Sequence, residues 1–321
     1  MAKSARRPDH HGRSGRRVWS VVGLVALGVV VFALVLFALG ENRGVENAGS
    51  TPGASTSATA PSTPPVETPA FEPAEAAPKV AVPARVLGAL DGALAVRAAS
   101  TTCPDPTTIE VTEDGGANWE AFEAPGVSAV QRIVPGGDAF IGLIGLAAEG
   151  CAPQYERTFT GGEAWEPAPD ELVASWYVDP ADRAVVHSPA GDVAAPCGVV
   201  VQLAAIDETS AAVLCDDATV HATADAGASW GAAVPVSGAV AITAGGAGYR
   251  VAVANVDGCA GAQLVELAAD GGSLAAGAGG ACLESSVSAG GVAVASGDDG
   301  SVWMWVGDVL ARSDDGGGSW L

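Results

Sequence analysis

Short runs of alternating apolar and polar residues fill the chain after Ala84. The first four are "ARVLGAL", "GALAVRAA", "TTIEVTED" and "NWEAFE", and turn-forming residues separate the later runs. A period of two, with valine and isoleucine frequent, is typical of antiparallel β-strands. No segment after Gly40 has a convincing helical period. We therefore predict an all-β domain over residues 84–321.

One polar motif recurs between these strands. Its full copies are "TEDGGANW" (112–119), "TFTGGEAW" (158–165), "TADAGASW" (223–230) and "SDDGGGSW" (313–320), and a shorter copy is "AADGGSL" (268–274). The equivalent third positions, 114, 160, 225, 270 and 315, are separated by 46, 65, 45 and 45 residues. Steps of about 45 residues fit one four-stranded propeller blade each. The sequence therefore predicts a β-propeller.

The number of blades depends on the long step of 65 residues. This step contains "ASWYV", "RAVVHS" and "GDVAAP", which read as three further short strands without a motif of their own. They favour six blades, while an elaborated loop in a five-bladed propeller is the alternative.

Each motif is expected to form a hairpin turn between the third and fourth strands of its blade. An acidic side chain accepts backbone N–H bonds across the turn, and glycines adopt its positive φ angles. The tryptophan then begins the outer strand and packs its ring against the blade. The residues predicted to have this structural role are Thr112, Asp114, Gly116, Trp119, Thr158, Gly162, Trp165, Thr223, Asp225, Gly227, Trp230, Asp270, Ser313, Asp315, Gly317 and Trp320.

The motif resembles the Asp-box, or bacterial neuraminidase repeat, with the pattern Ser/Thr-x-Asp-x-Gly-x-Thr/Ser-Trp. The copies at 223–230 and 313–320 match every position, whereas Asn118 replaces a hydroxyl residue and Thr160 replaces the acid. We expect the loss of the acid to weaken the turn at Thr160. The resemblance implies a propeller of the sialidase-like and photosystem assembly factor-like superfamily. It leaves the function open, because such propellers serve sialidases, other glycosidases, sorting receptors and an assembly factor.

The first 83 residues divide into three segments of different composition. Residues 1–17 hold six basic side chains against one acid, and residues 18–40 contain no charge. An uncharged run of this length predicts a transmembrane helix, and its basic flank predicts a cytoplasmic N-terminus. Residues 41–83, rich in Pro, Ala, Ser and Thr, predict a disordered linker. The domain is then expected outside the cell, on a single-pass anchor; a cleaved signal peptide is the alternative.

The predicted domain is strongly acidic. Residues 84–321 contain 7 Arg, no Lys and 31 Asp plus Glu, so their formal charge is 7 − 31 = −24. Nucleic acids and anionic membrane surfaces require a basic footprint, and both are therefore disfavoured as partners. We expect a monomer that binds an extracytoplasmic protein or glycan.

Six cysteines lie in the predicted extracellular domain, and they are expected to form three disulfides. Cys103, Cys151, Cys215 and Cys259 precede their motifs by 9 to 11 residues, while Cys197 and Cys282 precede a strand that opens a blade. The simplest pairing is Cys103–Cys151, Cys197–Cys215 and Cys259–Cys282. A rival pairing joins Cys151 to Cys197 and Cys103 to Cys215. With no C-x-x-C and two histidines in the domain, neither a metal nor a cofactor is expected.

Catalytic residues are not evident. Sialidase chemistry needs three arginines, a tyrosine and two acids. The segment "QRIVP" around Arg132 is the only partial match to the family's Arg-Ile-Pro signature, and it has an intervening valine. His187 and His221 are expected to have structural roles. Trp303 and Trp305 alternate on one strand face, where they either form a ligand platform or pack between sheets. The predicted function is a binding or scaffolding module, with a sialidase-like glycosidase and an assembly factor for a membrane complex as alternatives.

The last motif copy leaves one residue, Leu321, after its tryptophan. If the motif precedes the fourth strand, the last blade has only begun that strand. We expect Lys79–Pro83, "KVAVP", to complete the sheet and Trp320 to lie where the ring closes.

Overall fold

The computed structural model describes residues Lys79–Leu321, which fold into six antiparallel β-sheets. The chain completes each sheet before it starts the next. The predicted tail 1–17, the predicted transmembrane helix 18–40 and most of the predicted linker 41–83 lie outside the described residues. Over Lys79–Leu321, no helix has the length and apolar character that crossing a membrane requires.

The six sheets are numbered here as blades 1 to 6 in chain order. The strands of blades 1 to 3 are β1 (Arg85–Ala89), β2 (Ala95–Ala99), β3 (Thr107–Thr112), β4 (Glu120–Ala124); β5 (Val127–Pro135), β6 (Ile141–Ala147), β7 (Pro153–Thr158), β8 (Glu166–Pro167); β9 (Tyr177–Val178), β10 (Val185–Ser188) and β11 (Gly191–Ala194). The strands of blades 4 to 6 are β12 (Val200–Ala205), β13 (Ala211–Cys215), β14 (Thr219–Thr223), β15 (Val234–Pro235); β16 (Ala239–Gly245), β17 (Gly248–Ala254), β18 (Gly261–Asp270), β19 (Ser273–Gly279), β20 (Leu283–Glu284); β21 (Val292–Ser296), β22 (Val302–Val306) and β23 (Val309–Ser313).

The hydrophobic core consists of apolar clusters between neighbouring blades. Across the described residues there is one cluster for each of the pairs 1–2, 2–3, 3–4, 4–5, 5–6 and 6–1. The sixth pair closes the ring, because Leu87 of blade 1 packs with Trp303 of blade 6. The fold is therefore a six-bladed β-propeller, as the sequence favoured.

Burial is greatest at the second strands of blades 4 and 5 and lowest at the outer edge. Every residue of β13 and of β17 is buried, whereas β19 is almost wholly exposed. These second strands are covered on both faces by neighbouring blades, so they consist mainly of apolar and small residues, while the inner strands β12 and β16 are partly exposed. The outer strands keep one side in solvent and contain more polar residues.

Blade 3 is the blade that has no sequence motif. Its strands β9, β10 and β11 lie within the three runs predicted from the 65-residue step, and they form a three-stranded sheet. The connection into it holds a short helix, α1 (Pro169–Val173), which the strand patterning missed. Pro at the first turn and the acids Asp170 and Glu171 favour a helix start there. The prediction of no helix after Gly40 is therefore wrong for these five residues.

The motif turns follow the third strand of their blades, as predicted. In blade 6 this strand is β23, and Leu321 donates its backbone N–H to Arg312 O (2.8 Å). The predicted partner strand at Lys79–Pro83 is wrong: these residues form no strand and do not pair with β23. Instead, Val80 N–H donates to Asp216 O in blade 4, and Ala84 N–H donates to Gly290 O before β21.

Ring closure does not involve Trp320 either. The Trp320 indole is partly buried and donates to Ala281 O (2.9 Å), in the connection between blades 5 and 6. Between blades 6 and 1, the Trp303 indole instead donates to Asp91 O (2.9 Å), and Arg312 donates to Gly92 O. Trp303 is therefore the aromatic residue that closes the ring, because it faces blade 1 directly.

Three disulfides join Cys103 to Cys151, Cys197 to Cys215 and Cys259 to Cys282. This is the simplest pairing predicted from the repeat register. All three lie at the end of the blades where second strands connect to third strands and where one blade leads to the next. The motif turns lie at the opposite end, with the turns between first and second strands; we call that end the turn face.

Candidate functional site

The motif turns are networks of hydrogen bonds closed within eight residues. In the third full copy, Asp225 Oδ1 accepts from the Thr223 hydroxyl (2.8 Å) and from Ser229 N–H (2.9 Å), and its Oδ2 accepts from the Ser229 hydroxyl (2.6 Å). The Thr223 hydroxyl in turn accepts from the buried Gly227 N–H (3.0 Å). Both carboxylate oxygens are thus engaged inside the turn.

The same network recurs at the first and last full copies. Asp114 accepts from the Thr112 hydroxyl and from both N–H groups of Asn118, so an amide performs the role of the expected hydroxyl. Asp315 accepts from the Ser313 and Ser319 hydroxyls and from Ser319 N–H. These bonds stabilise the charged carboxylate, and they lower the pKa of Asp315 to about 2. The pKa values of Asp114 and Asp225 are lowered for the same reason.

Glycine is needed at the buried corner of these turns. Gly227 and Gly317 have φ angles of 83° and 97°. A Cβ at Gly227 would lie 2.6 Å from Val193 Cγ2, and one at Gly317 would lie 2.7 Å from Leu264 Cδ1. Both clashes are with the preceding blade, so each turn is packed between two blades.

At the second copy a threonine replaces the acid without changing the turn. Thr160 Oγ1 accepts from Ala164 N–H (2.9 Å), and Gly162 N–H donates to Thr158 Oγ1 (3.2 Å). Thr160 has one side-chain oxygen where Asp225 has two, and Ala164 has no hydroxyl to take the place of Ser229. Fewer bonds therefore hold this turn than hold the turn at Asp225.

Asp270 does not form a turn of this kind, and its assignment to the motif is wrong. It pairs directly with Ser273 across a two-residue turn in which Gly271 and Gly272 have φ angles of 54° and 86°. Two residues with positive φ are the geometry of a tight hairpin. Such a turn leaves no loop for a carboxylate to bridge.

Trp303 and Trp305 lie in the interface between blades 6 and 1. Trp303 is only 1% exposed and meets Trp119 edge to face at 6.3 Å between ring centroids. Trp305 lies under the guanidinium groups of Arg85 and Arg97, at 4.3 and 5.1 Å. The packing alternative therefore holds for Trp303, whose ring is closed to ligands.

The two histidines of the propeller, His187 and His221, make structural contacts. His187 has Nδ1 2.6 Å from Asp192 Oδ1 and Nε2 3.2 Å from Val173 O, and its ring stacks on Tyr177. His221 Nδ1 lies 3.0 Å from Gly231 O. Among residues 79–321, no three His, Cys, Asp or Glu side chains are grouped as a metal site would need.

A cavity of about 540 Å³ lies on the propeller axis. Its walls are the inner strands β1, β5, β12, β16 and β21, and the lining residues lie toward the turn face. The polar side chains in its lining are Gln131, Arg132, Gln202, Thr243, Arg250 and Ser296, together with one acid, the exposed Asp298. The volume falls within the range of small-ligand pockets, and a few polar groups converge on it.

Several of these polar groups are held by neighbours. Arg250 contacts Glu266 (3.4 Å) and Ser296 (3.1 Å), and Gln202 Oε1 accepts from Ile242 N–H (2.9 Å). Arg132 differs, because its guanidinium makes no hydrogen bond or ion pair with residues 79–321, and its side chain is only partly buried. Its partial burial lowers the pKa of Arg132 below its ordinary value. The sequence around Arg132 matches the Arg-Ile-Pro signature only in part, and no local pattern indicates that this charge is unpaired.

The interface beside Arg132 is thinly packed. Cross-strand register aligns Arg132 with Ile144 and Ile144 with Tyr155, so the three side chains share the face of blade 2 that meets blade 3. The apolar cluster there has three buried members, Ile144, Tyr155 and Ala168. Blade 3 has short strands and no motif turn, and it therefore covers this face less than other blades cover their neighbours.

Comparisons with known proteins give structural neighbours only. No family model matches the chain, and no curated protein matches it. Similar solved structures are "YCF48 bound to D1 peptide" (18% identity, 80% of this chain and 74% of that chain, TM-score 0.28), SapL1 lectin in complex with α-methyl fucoside (12%, 76% and 96%, TM-score 0.46) and the GH74 xyloglucanase from Xanthomonas campestris (16%, 75% and 38%, TM-score 0.28). At these identities and scores, the propeller assignment rests on the six-sheet topology of the chain itself.

Proposed function

We propose that this chain is a membrane-anchored, extracytoplasmic binding module whose ligand occupies the axial cavity of the propeller. The observation that carries the proposal is the contrast in hydrogen bonding between the motif turns and the cavity. The turns use their polar groups internally, whereas the cavity presents polar side chains that include an arginine with no partner among the described residues. Ligand sites are concave and combine apolar walls with a few available polar groups.

The anchor and the location belong to the proposal. The uncharged run 18–40 and its basic flank support a single-pass helix with its N-terminus in the cytoplasm. The disulfides support an oxidising compartment for the propeller. The turns at Asp114, Asp225 and Asp315 fit the Asp-box pattern, and we assign them a structural role because their carboxylates are fully engaged.

Binding is favoured over glycoside hydrolysis of the sialidase kind. Such hydrolysis needs three arginines, a tyrosine nucleophile and two acids. Among the described residues, the lining of the axial cavity provides two arginines, Arg132 and Arg250, one acid, Asp298, and no tyrosine. An assembly-factor role is a form of binding and is included in the proposal.

The test uses the full chain in lipid nanodiscs, applied to glycan and peptide arrays. The variant Thr243→Trp places an indole in the cavity lining, and Thr108→Trp places the same residue on the exposed face of β3 as the control. We expect the parent and Thr108→Trp to bind the same array features and Thr243→Trp to lose them while its melting temperature stays close to that of the parent. Undiminished binding by a folded Thr243→Trp variant, or no bound feature for the parent, would contradict the proposal.

A further inference from the structure

Arg132 is exceptional among the arginines of the propeller. The other six each donate to a carboxylate, a carbonyl or a hydroxyl: Arg85 to Gly307 O, Arg97 to Glu110, Arg157 to Glu166, Arg183 to Val200 O and Val201 O, Arg250 to Ser296, and Arg312 to Gly92 O. Arg132 has no such partner within residues 79–321, although 31 acids are available in the domain. A guanidinium stays protonated even where burial lowers its pKa, so Arg132 brings a positive charge to the lining of the cavity.

The titratable group that interacts with Arg132, Tyr155, does not neutralise it. Tyr155 lies on the same face of blade 2, two strands away, and is 5% exposed. Burial raises the pKa of Tyr155 above its ordinary value, so the phenol is uncharged at neutral pH. Its hydroxyl has no partner among the described residues and lies over Gly142, where a side chain would displace it. Arg132 thus has a neutral hydrogen-bonding neighbour but no counter-ion.

Another half-buried arginine shows what a purely structural role requires. Burial also lowers the pKa of Arg183, but its Nε donates to Val200 O (2.7 Å) and its Nη2 donates to Val201 O (2.7 Å). These bonds attach the approach to β10 onto β12. Arg132 is also half-buried but makes no comparable bond, and a partly desolvated charge without a partner is unfavourable for folding. A cation kept in this position is explained by an anion that reaches it from the cavity.

The shape of the guanidinium and the negative charge of the domain favour some anions over others. The planar guanidinium matches a carboxylate with two parallel hydrogen bonds. The domain charge of −24 repels anions in bulk, and it penalises a dianionic phosphate more than a monoanion. Resting on the proposed function, we infer that the ligand of the axial cavity carries a carboxylate that pairs with Arg132. Such a group is the C-terminus of a peptide or the acid of a uronic sugar.

The experiment compares acids with their neutral counterparts on the full chain in nanodiscs. The probes are N-acetyl-trialanine and its C-terminal amide, glucuronic acid and glucose, and inorganic phosphate, with binding measured by saturation-transfer NMR and calorimetry. We expect at least one acid to bind at least tenfold more tightly than its neutral partner. Preference for the peptide acid identifies a C-terminus as the source, and preference for glucuronate identifies an acidic glycan. Tighter binding of phosphate than of both acids, or no preference for either acid, would overturn the inference.

Two variants separate Arg132 from general charge effects. Arg132→Met should weaken binding of the preferred acid at least tenfold and leave its neutral partner unaffected. Arg157→Met removes a partly exposed arginine that pairs with Glu166. It should change neither the binding of the preferred acid nor that of its neutral partner. Phenylglyoxal labelling with peptide mapping gives a second readout, in which the preferred acid should protect Arg132. Equal acid binding by Arg132→Met would refute the carboxylate assignment, yet sensitivity of the array ligands to Thr243→Trp would still support the axial site.

Discussion

Polar side chains are hydrogen-bonded within the motif turns, whereas the lining of the axial cavity includes a polar side chain without a protein partner among the described residues. Thr223, Asp225 and Ser229 satisfy one another within seven residues of sequence, and the turn leaves no carboxylate oxygen free. Arg132 lies on an inner strand with no protein partner among the described residues. A conspicuous sequence motif is therefore not by itself evidence of a binding site. The motif turns close their own hydrogen bonds between neighbouring blades, whereas the inconspicuous Arg132 of β5 is the residue that we propose a ligand reaches.

The largest effect is expected from removing a buried hydroxyl in a motif turn. Thr223→Val leaves the Gly227 N–H buried without its acceptor, which costs about 1–3 kcal/mol. The melting temperature of the full chain should fall by roughly 2–4 °C for each kcal/mol. Thr108→Val, on an exposed position of β3, is the matched control. Equal melting temperatures for the two variants would show that the turn does not stabilise the ring.

The second effect has the opposite sign and lies in the cavity. Arg132→Met removes a half-buried charge that has no partner among the described residues, so we expect the free energy of unfolding to rise by roughly 0.5–2 kcal/mol, as is common where a functional residue is replaced. Arg183→Met should instead destabilise the chain, because Val200 O and Val201 O lose their donor. Thermal melts of both variants test this difference. A loss of stability in both would mean that Arg132 is structural.

A smaller effect should follow from restoring the missing acid at Thr160. Thr160→Asp replaces a neutral acceptor of the Thr158 hydroxyl and of Ala164 N–H with a charged one, as Asp225 Oδ1 provides in its turn, although Ala164 has no hydroxyl for the second oxygen. Hydrogen bonds to a charged acceptor are stronger than neutral ones, and we expect a gain of about 0.5–1.5 kcal/mol. Thr160→Asn is the control, since it has the same shape without the charge. The Asp variant should melt at a higher temperature than the Asn variant, while ligand binding in the cavity stays the same in both. A lower melting temperature for Asp would show that the network at Asp225 cannot be transferred to this turn.

The smallest expected effect is a change in how the melting temperature depends on pH. The folded-state pKa of Asp315 is about 2, below its ordinary value of 3.8, so its contribution to stability is complete above about pH 4 and is lost as the pH falls toward 2. Melting temperatures measured from pH 5 to pH 2 should therefore decline less for Asp315→Asn than for the parent. Asp105→Asn, at an exposed side chain without a hydrogen bond, should follow the parent. Identical pH profiles for the parent and both variants would show that the Asp315 carboxylate does not stabilise the turn.

Some expectations depended on neighbours in sequence. The third blade and the three disulfides were confirmed, because each is specified by a local pattern or by the repeat register. The predicted motif positions Asp114, Asp225 and Asp315 each accept hydrogen bonds from their own turn. The errors arose where local similarity concealed a different geometry. Asp270 shares the letters of the motif but lies in a two-residue hairpin, and Lys79–Pro83 has strand-like residues that bond to blade 4 and to Gly290.

The repeating unit is specified locally, because a blade of about 45 residues forms from hairpins whose turn residues and alternating strands are contiguous in the chain. The contacts between distant residues depend instead on how the blades pack in the closed ring. It packs Trp303 against blade 1 and leaves Arg132 unpaired beside the thin interface with blade 3. Such contacts join residues far apart in sequence, and whether a charge has a partner depends on the side chains that the closed ring places around it.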